Sequence, residues 1–252
     1  MHKLSNKYIY FEEINPGLIQ GIGSGLRILD VGCGYGALGE ALKAKGNIVF
    51  GVDISKKAIA EAKERLDFAT VGDTTDYDSL PSEIKKEPFD LIILADVIEH
   101  VYDPKTLLEN LQPLLTDDGD LLISIPNIAN WQSRLKLLFG QWNYTVSGIM
   151  DRSHIRFFTL STTKKLLKAA GFEPMKINCT PYFTRAFAII LRNILFPKSR
   201  DVTPTDPTAL LKSRMYKIYL RFVYPIESFV AHMWKRLFAY QFIVRAKKIG
   251  KK

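Results

Sequence analysis

The chain has 252 residues, 47% hydrophobic and 24% charged, enough for one large α/β domain with an appendage and too ordinary in composition for a repeat, collagen-like or low-complexity protein. Two cysteines, Cys33 and Cys179, exclude a disulfide framework, and no apolar run reaches the roughly 18 residues that a membrane span needs. The net charge of +9 is uneven: residues 1–180 carry 20 basic and 23 acidic side chains, residues 181–252 carry 15 and 3.

In chain order, residues 8–20 read as a short amphipathic helix bearing Tyr8, Tyr10 and Phe11. Arg27 to Val31 is an apolar run closed by glycines and predicts a buried strand. A helix at 37–45 ends at Gly46. Ile48 to Asp53 is a second strand, and Ser55 fits the N-cap of a helix at 56–65. Further strands fall at 67–71, 89–94 and 119–125, with a helix at 103–115. Ser161 reads as the cap of a helix ending at Ala170 and Gly171, and 173–179 is a sixth strand. Helices are expected at 183–195 and 208–237, separated by Phe196-Pro197 and a linker, Asp201 to Thr208, and Pro225 bends or splits the second. Phe238 to Ala246 alternates like a last strand.

Strands alternating with helices, and apolar on both faces, imply a doubly wound, mainly parallel sheet. The expectation is one α/β, Rossmann-like domain over 1–252. It has seven strands and a helical, basic insertion at 181–237 before the last one. Ligands in such sheets bind at the carboxyl ends of the strands. That rule gathers Asp30 to Gly36, Asp53, Gly72-Asp73 and Leu94 to His100 on one rim.

The central motif is Leu29-Asp30-Val31-Gly32-Cys33-Gly34-Tyr35-Gly36, with Gly39 beyond. Gly34, Gly36 and Gly39 match the dinucleotide fingerprint literally, so an NAD(P)-dependent oxidoreductase is the enzymatic alternative. Asp30 argues against it, because a dinucleotide would bring its pyrophosphate beside that carboxylate. S-adenosylmethionine (SAM) carries an ammonium and a sulfonium and no phosphate, so the carboxylate suits it. Asp53 suits a ribose diol in either case.

These residues, with Phe89 to Leu94, Ala95-Asp96-Val97-Ile98-Glu99-His100 and Leu114 to Leu122, resemble the motifs of class I SAM-dependent methyltransferases, in order and with the expected spacing. The resemblance covers residues 8–180 and 238–246. It implies SAM as cofactor, with Asp30, Gly32, Cys33, Gly34, Gly36, Asp53, Ile54, Asp73, Ala95 and Asp96 around it. Asp96 to His100, Pro126-Asn127 and Gly148 to Thr159 are also similar to bacterial ubiquinone-type O-methyltransferases and related polysaccharide- or lipid-associated enzymes. That narrower likeness implies an oxygen nucleophile on a small-molecule, sugar or lipid-type acceptor. A catalytically inactive SAM-binding module is the non-enzymatic alternative, against which the intact loop with both carboxylates argues.

A hydroxyl acceptor benefits from a general base, and histidine titrates near neutrality. His100 follows the fourth strand, and His154 stands before the helix at 161, with Asp151 placed to orient it. The alternatives are that His100 anchors a short helix, that Glu99 serves local structure, and that Arg152 and Arg156 make ion pairs in a structural turn. His2 and His232 are unremarkable. Trp131, Trp142 and Tyr144 flank the rim, whereas Phe157 and Phe158 read as core. No metal-ligand spacing is apparent, so no metal is expected.

Residues 208–237 interleave Lys212, Arg214, Lys217, Arg221, Lys235 and Arg236 with Tyr216, Tyr219, Phe222, Tyr224, Phe229 and Trp234. Basic residues among large aromatics are what an interfacial helix needs. The insertion is expected to be a lid or surface element in peripheral contact with an anionic membrane. A helical pair with solvated charges is the alternative, and nucleic acid is not expected. The start of the chain shows no signal-peptide pattern, so the expected place is the cytoplasm, with a peripheral position on the inner face of the membrane as a variant.

Overall fold

A computed structural model describes residues 14–182 and 219–250. The expected aromatics Tyr8, Tyr10 and Phe11, the helix at 183–195, the linker and the start of the next helix lie outside the described residues.

The sheet has seven strands: β1 (Arg27–Val31), β2 (Ile48–Asp53), β3 (Phe68–Val71), β4 (Phe89–Ala95), β5 (Leu115–Pro126), β6 (Phe172–Pro181) and β7 (Ala239–Lys248), in the order β3-β2-β1-β4-β5-β7-β6. The first five are parallel, and β7 inserts antiparallel between β5 and β6. The last strand therefore does return to the same sheet. The helices are α1 (Pro16–Ile19), α2 (Ala37–Lys43), α3 (Lys56–Arg65), α4 (Ser82–Lys85), α5 (Pro104–Leu111), α6 (Trp131–Leu138), α7 (Leu160–Ala169), α8 (Tyr224–Met233) and α9 (Lys235–Phe238). A π-helical turn, Tyr219–Val223, leads into α8. Pro225 sits in the first turn of α8, where its missing N–H has no intrahelical partner to lose, and the helical run changes from π to α at this point.

Alternation in the central strands feeds two cores. Ile28, Leu91 and Ile93 pack on one face with Leu42 of α2 and Ile59 and Ala62 of α3. Leu29, Val31, Ile92 and Leu94 pack on the other with Leu107, Leu108 and Leu111 of α5 and Leu167 of α7. Each fully buried aliphatic contributes roughly 1.5–3 kcal/mol, so both faces of β1 and β4 are held firmly under the rim.

Several local expectations shift. Ser55 does cap α3, accepting from Ala58 N at 3.2 Å. The cap of α7 is Thr159, not Ser161: its hydroxyl accepts from Thr162 N at 3.2 Å, and Thr162 Oγ1 accepts from Thr159 N at 2.8 Å. That reciprocal pair satisfies two N–H groups at once, which starts the helix two residues earlier. α4 and α6 were not legible as periodic segments. α4 spans four residues, and α6 exposes Leu135, Leu137 and Leu138 instead of burying an apolar stripe.

Candidate active site

The chain runs outward from β1 to β3 and then crosses to β4, so the strand order reverses between β1 and β4. The crevice at such a reversal is where ligands sit in open α/β sheets. Here the two loops above it interlock. Gly32 adopts φ +72°, and a Cβ there would lie 2.5 Å from Val97 Cγ2 in the loop after β4. Only glycine lets the backbone turn this way and come this close.

Asp30, one residue before the end of β1, is 1% exposed, and its Oδ2 has no hydrogen-bond partner. Burial, with the Asp53 charge adding, pushes its carboxyl up to about 7. An orphaned buried acceptor of this kind fits a cationic ligand and is ill suited to a phosphate. Asp53, at the end of β2, accepts from Gly34 N at 2.9 Å through Oδ2 and from Ser55 N at 2.8 Å through Oδ1. A carboxylate at this strand end is suited to a ribose hydroxyl. Ile54 follows, 56% exposed on the rim. Asp73 is exposed beyond β3, its Oδ1 engaged by Thr75 N at 2.9 Å and Thr75 Oγ1 at 2.7 Å. Cys33 is buried under the loop, and burial holds its thiol far above the usual range, so it is inert.

Ala95 ends β4, and Asp96 follows it at φ +55°, the one described non-glycine residue with positive φ. Such a conformation costs on the order of 1–2 kcal/mol and is tolerated where neighbours dictate it. The neighbours are visible. Ser124 of β5 donates to Asp96 Oδ1 at 3.2 Å and accepts from Asp96 N at 3.0 Å, and the Gln241 amide of β7 also donates to Oδ1. Gln241 accepts in turn from Asn15 Nδ2 at 2.6 Å. Gln241 was missed in the sequence, although a buried amide directly before Phe242-Ile243-Val244 was a signal.

A 3-10 turn, Ile98–His100, carries the next group of side chains. Glu99 is 1% exposed, neither of its carboxylate oxygens has a hydrogen-bond partner, and burial raises its carboxyl well above the usual range. Its carbonyl accepts from Ile155 N and Arg156 N, both at 3.0 Å, which ties the 149–157 loop to the rim. His154 Nε2 lies 3.9 Å from Glu99 Oε1, and the His100 and His154 rings meet edge to face at 4.8 Å. His100 Nδ1 lies 3.1 Å from the Ser153 carbonyl, and His154 Nδ1 lies 3.0 Å from that of Ile149. With Nδ1 of each ring donating to a carbonyl, the uncharged tautomer carries its proton on Nδ1, and Nε2 of His154 then accepts. Glu99, His100 and His154 thus offer three ligand atoms within 4.8 Å of one another, a spacing able to share one proton or one cation. The sequence expectation of no metal rested on linear spacing, which cannot show side chains brought together from two loops.

The structure corrects the role expected of Asp151. Its carboxylate accepts from Ser153 N at 2.7 Å and Ser153 Oγ at 2.6 Å and so shapes the turn; Asp151 meets His154 through its carbonyl, which accepts from His154 N at 3.1 Å, while the Ile149 carbonyl holds the ring. Arg152 and Arg156 make no ion pairs among the described residues either. Arg156 donates to the Tyr102 carbonyl at 2.6 Å and lies over the Tyr102 ring. Beside His154 opens a cleft of about 540 Å³ lined by Tyr144, Arg152, His154, Ile155 and Phe157. Trp142 backs it, with its ring 5.3 Å from Phe157. Phe158 is core as expected, whereas Phe157 is a wall of the cleft.

A family model described as a methyltransferase domain matches residues 8–177. A ubiquinone biosynthesis O-methyltransferase of Cereibacter sphaeroides is 32% identical over 156 residues, covering 60% of this chain and 62% of that one. Another, of Ralstonia nicotianae, is 29% identical over 181 residues, covering 68% and 74%. The matched region thus spans 62% of the first relative's own length. The fold is shared with a SAM-dependent methyltransferase of Thermotoga maritima at a TM-score of 0.58 and 18% identity, covering 92% of this chain and 86% of that one.

Proposed function

Because the chain belongs to the SAM-dependent methyltransferase family, we propose that it transfers the methyl group of SAM to a hydroxyl oxygen of a small acceptor lying in the cleft beside His154. The observation that carries this reading is the juxtaposition, on one rim, of a carboxylate-lined glycine loop and a histidine-floored, aromatic-walled cleft. SAM supplies, when bound, a methyl group on a positively charged sulfur. Asp30 faces its cationic portion, Asp53 its ribose, and Ile54, Asp73, Ala95 and Asp96 complete the cradle with Gly32, Cys33, Gly34 and Gly36. An oxidoreductase is disfavoured by the family and by Asp30.

His154 lines the cleft, and its Nδ1 is occupied by the Ile149 carbonyl, which leaves Nε2 as its base. An acceptor hydroxyl placed there gives up its proton to an imidazole Nε2 as its oxygen takes the methyl group. Tyr144, Phe157 and Trp142 align the acceptor and exclude water, and alignment supplies much of the rate in an in-line displacement. The relatives' names support an oxygen acceptor of the quinol type, and a sugar or lipid-type hydroxyl is compatible with the same cleft.

The same reading extends to a membrane-surface role for the region before β7. Phe222, Ile226, Phe229 and Met233 stand exposed on one face of the π-turn and α8, while Glu227 and Ala231 are buried on the other. No helix among the described residues is long and apolar enough to cross a membrane.

The experiment is calorimetric titration with SAM, S-adenosylhomocysteine and NAD(P)H, followed by a methyl-transfer assay on phenols, quinols and sugars. Micromolar binding of the two SAM-type ligands, lost in Asp53→Ala, and turnover reduced about a hundredfold or more in His154→Ala are expected. Binding of NAD(P)H without SAM, or full activity in His154→Ala, would overturn the respective part.

A further inference from the structure

The cleft beside His154 has one formal charge in its wall, Arg152. Its side chain is exposed and makes no hydrogen bond or ion pair among the described residues. Other arginines are engaged: Arg27 with Glu87, Arg65 with Glu40, Arg245 with Asp120, and Arg134 with the Ala129 carbonyl. The adjacent carboxylate of Asp151 is turned to Ser153 instead.

Arg152 is nevertheless held in place. Its N–H donates to the Thr145 carbonyl at 3.1 Å, Thr145 N donates to the Met150 carbonyl at 2.8 Å, and Thr145 bridges Asp151. This miniature ladder fixes the Arg152 backbone beside Tyr144. The Ile149–His154 hydrogen bond fixes the neighbouring turn to the histidine. A guanidinium on a fixed backbone, with an aromatic wall on one side and a base on the other, has the parts of an orienting clamp. Its planar fork matches a carboxylate or phosphate through two parallel hydrogen bonds. Ligand clefts use few polar groups, each fixing orientation. The flat surfaces of Tyr144 and Phe157, with rings 6.4 Å apart, favour a planar ring beside that fork.

We propose that Arg152 is a specificity-determining residue that binds an anionic substituent, in the first place a carboxylate, on the acceptor ring, and so turns the ring's hydroxyl toward His154. The acceptor's hydroxylated ring thereby carries an anionic group as well. This rests on the methyltransferase reading above and adds the charge class of the substrate. Arg152 touches substrate only, and takes no part in the proton transfer.

The test is equilibrium binding to the full chain saturated with S-adenosylhomocysteine, using three probes: 3,4-dihydroxybenzoate, its neutral amide, and phenyl phosphate. The acid is expected to bind at least about tenfold more tightly than the amide, the scale of a charge-assisted hydrogen bond. Arg152→Gln should erase that difference while leaving amide binding and the thermal transition unchanged, and Arg152→Lys should retain part of it. Phenyl phosphate distinguishes the source of charge: tighter binding than the acid, lost in Arg152→Gln, keeps the anion clamp and overturns the carboxylate assignment. Equal affinity for acid and amide in the wild type, an undiminished preference in Arg152→Gln, or no binding of any probe would overturn the clamp. Failure of S-adenosylhomocysteine itself to bind would instead remove the methyltransferase reading, and this inference with it.

Discussion

Burial of Asp30 beside Asp53, with no donor for its second oxygen, sets a conflict that a ligand resolves. Its carboxyl, raised from 3.8 to about 7, is a stability statement. Between those values the folded chain holds a proton that the unfolded chain releases, so this group's contribution is best below pH 4 and is lost as pH rises toward 7. Asp30→Asn should therefore stabilise the ligand-free protein at pH 8, by roughly 2–4 kcal/mol, and leave it nearly unchanged at pH 4. Binding a cation has the opposite preference, since it favours the charged carboxylate. SAM affinity of the wild type should strengthen between pH 6 and 7.5, below the range where a free α-amino group titrates, and Asp30→Asn should show a flat and weaker profile. Calorimetric titration and thermal melts across that range measure both halves, and a wild-type profile as flat as the variant's would remove Asp30 from the cationic end of the ligand. The identity of this residue was legible because a carboxylate two places before a glycine turn has an electrostatic meaning in the linear sequence. The Glu99–His100–His154 cluster was legible only as separate residues, because its meaning lies in a loop docked from fifty positions away.

At the level of elements, strands and helices under the rim were legible wherever burial is two-sided, since apolar runs such as Leu91 to Leu94 admit little else. Boundaries moved where side-chain capping decides them. Ser161 and Thr159 are both acceptable caps by residue type, and the reciprocal bond to Thr162 selects Thr159. Thr159→Ala should cost about 1 kcal/mol of global stability, whereas Ser161→Ala, exposed within the helix, should stay within about 0.5 kcal/mol. Urea unfolding with unchanged slopes would read the difference, and equal losses would return the cap to Ser161. α7 also closes the loop that carries His154, since Ile128 N donates to the Phe158 carbonyl just before the helix starts. A frayed start should therefore reduce turnover more than SAM binding. α6 stayed hidden for the converse reason: a helix that displays leucines outward has no period that a core would impose.

Across the whole molecule, basic charge concentrates toward the end of the chain, and among the described residues exposed apolar side chains gather there as well as at 135–146. Residues 181–252 carry 15 of the basic side chains and only 3 acidic ones. In the described part of that region, Phe222 is 61% exposed, Ile226 68% and Phe229 66%, on the face opposite buried Glu227 and Ala231. A protein with no apolar partner for this face pays hydration for three large side chains, and an interfacial lipid layer removes that cost while anionic headgroups meet the nearby Arg221, Lys235 and Arg236. The two contributions separate by condition. Vesicles of phosphatidylglycerol should bind the wild type and neutral phosphatidylcholine should bind it far less, with about 0.5 M salt weakening the former by screening. Replacing Phe222, Ile226 and Phe229 together by serine should lower binding to anionic vesicles by about tenfold or more at unchanged charge. The melting transition should hold, because the three side chains support no core. Co-sedimentation decides the matter: binding equal to wild type in the triple variant would assign the attraction to charge alone, and no binding of the wild type to anionic vesicles would leave the face to a partner other than lipid.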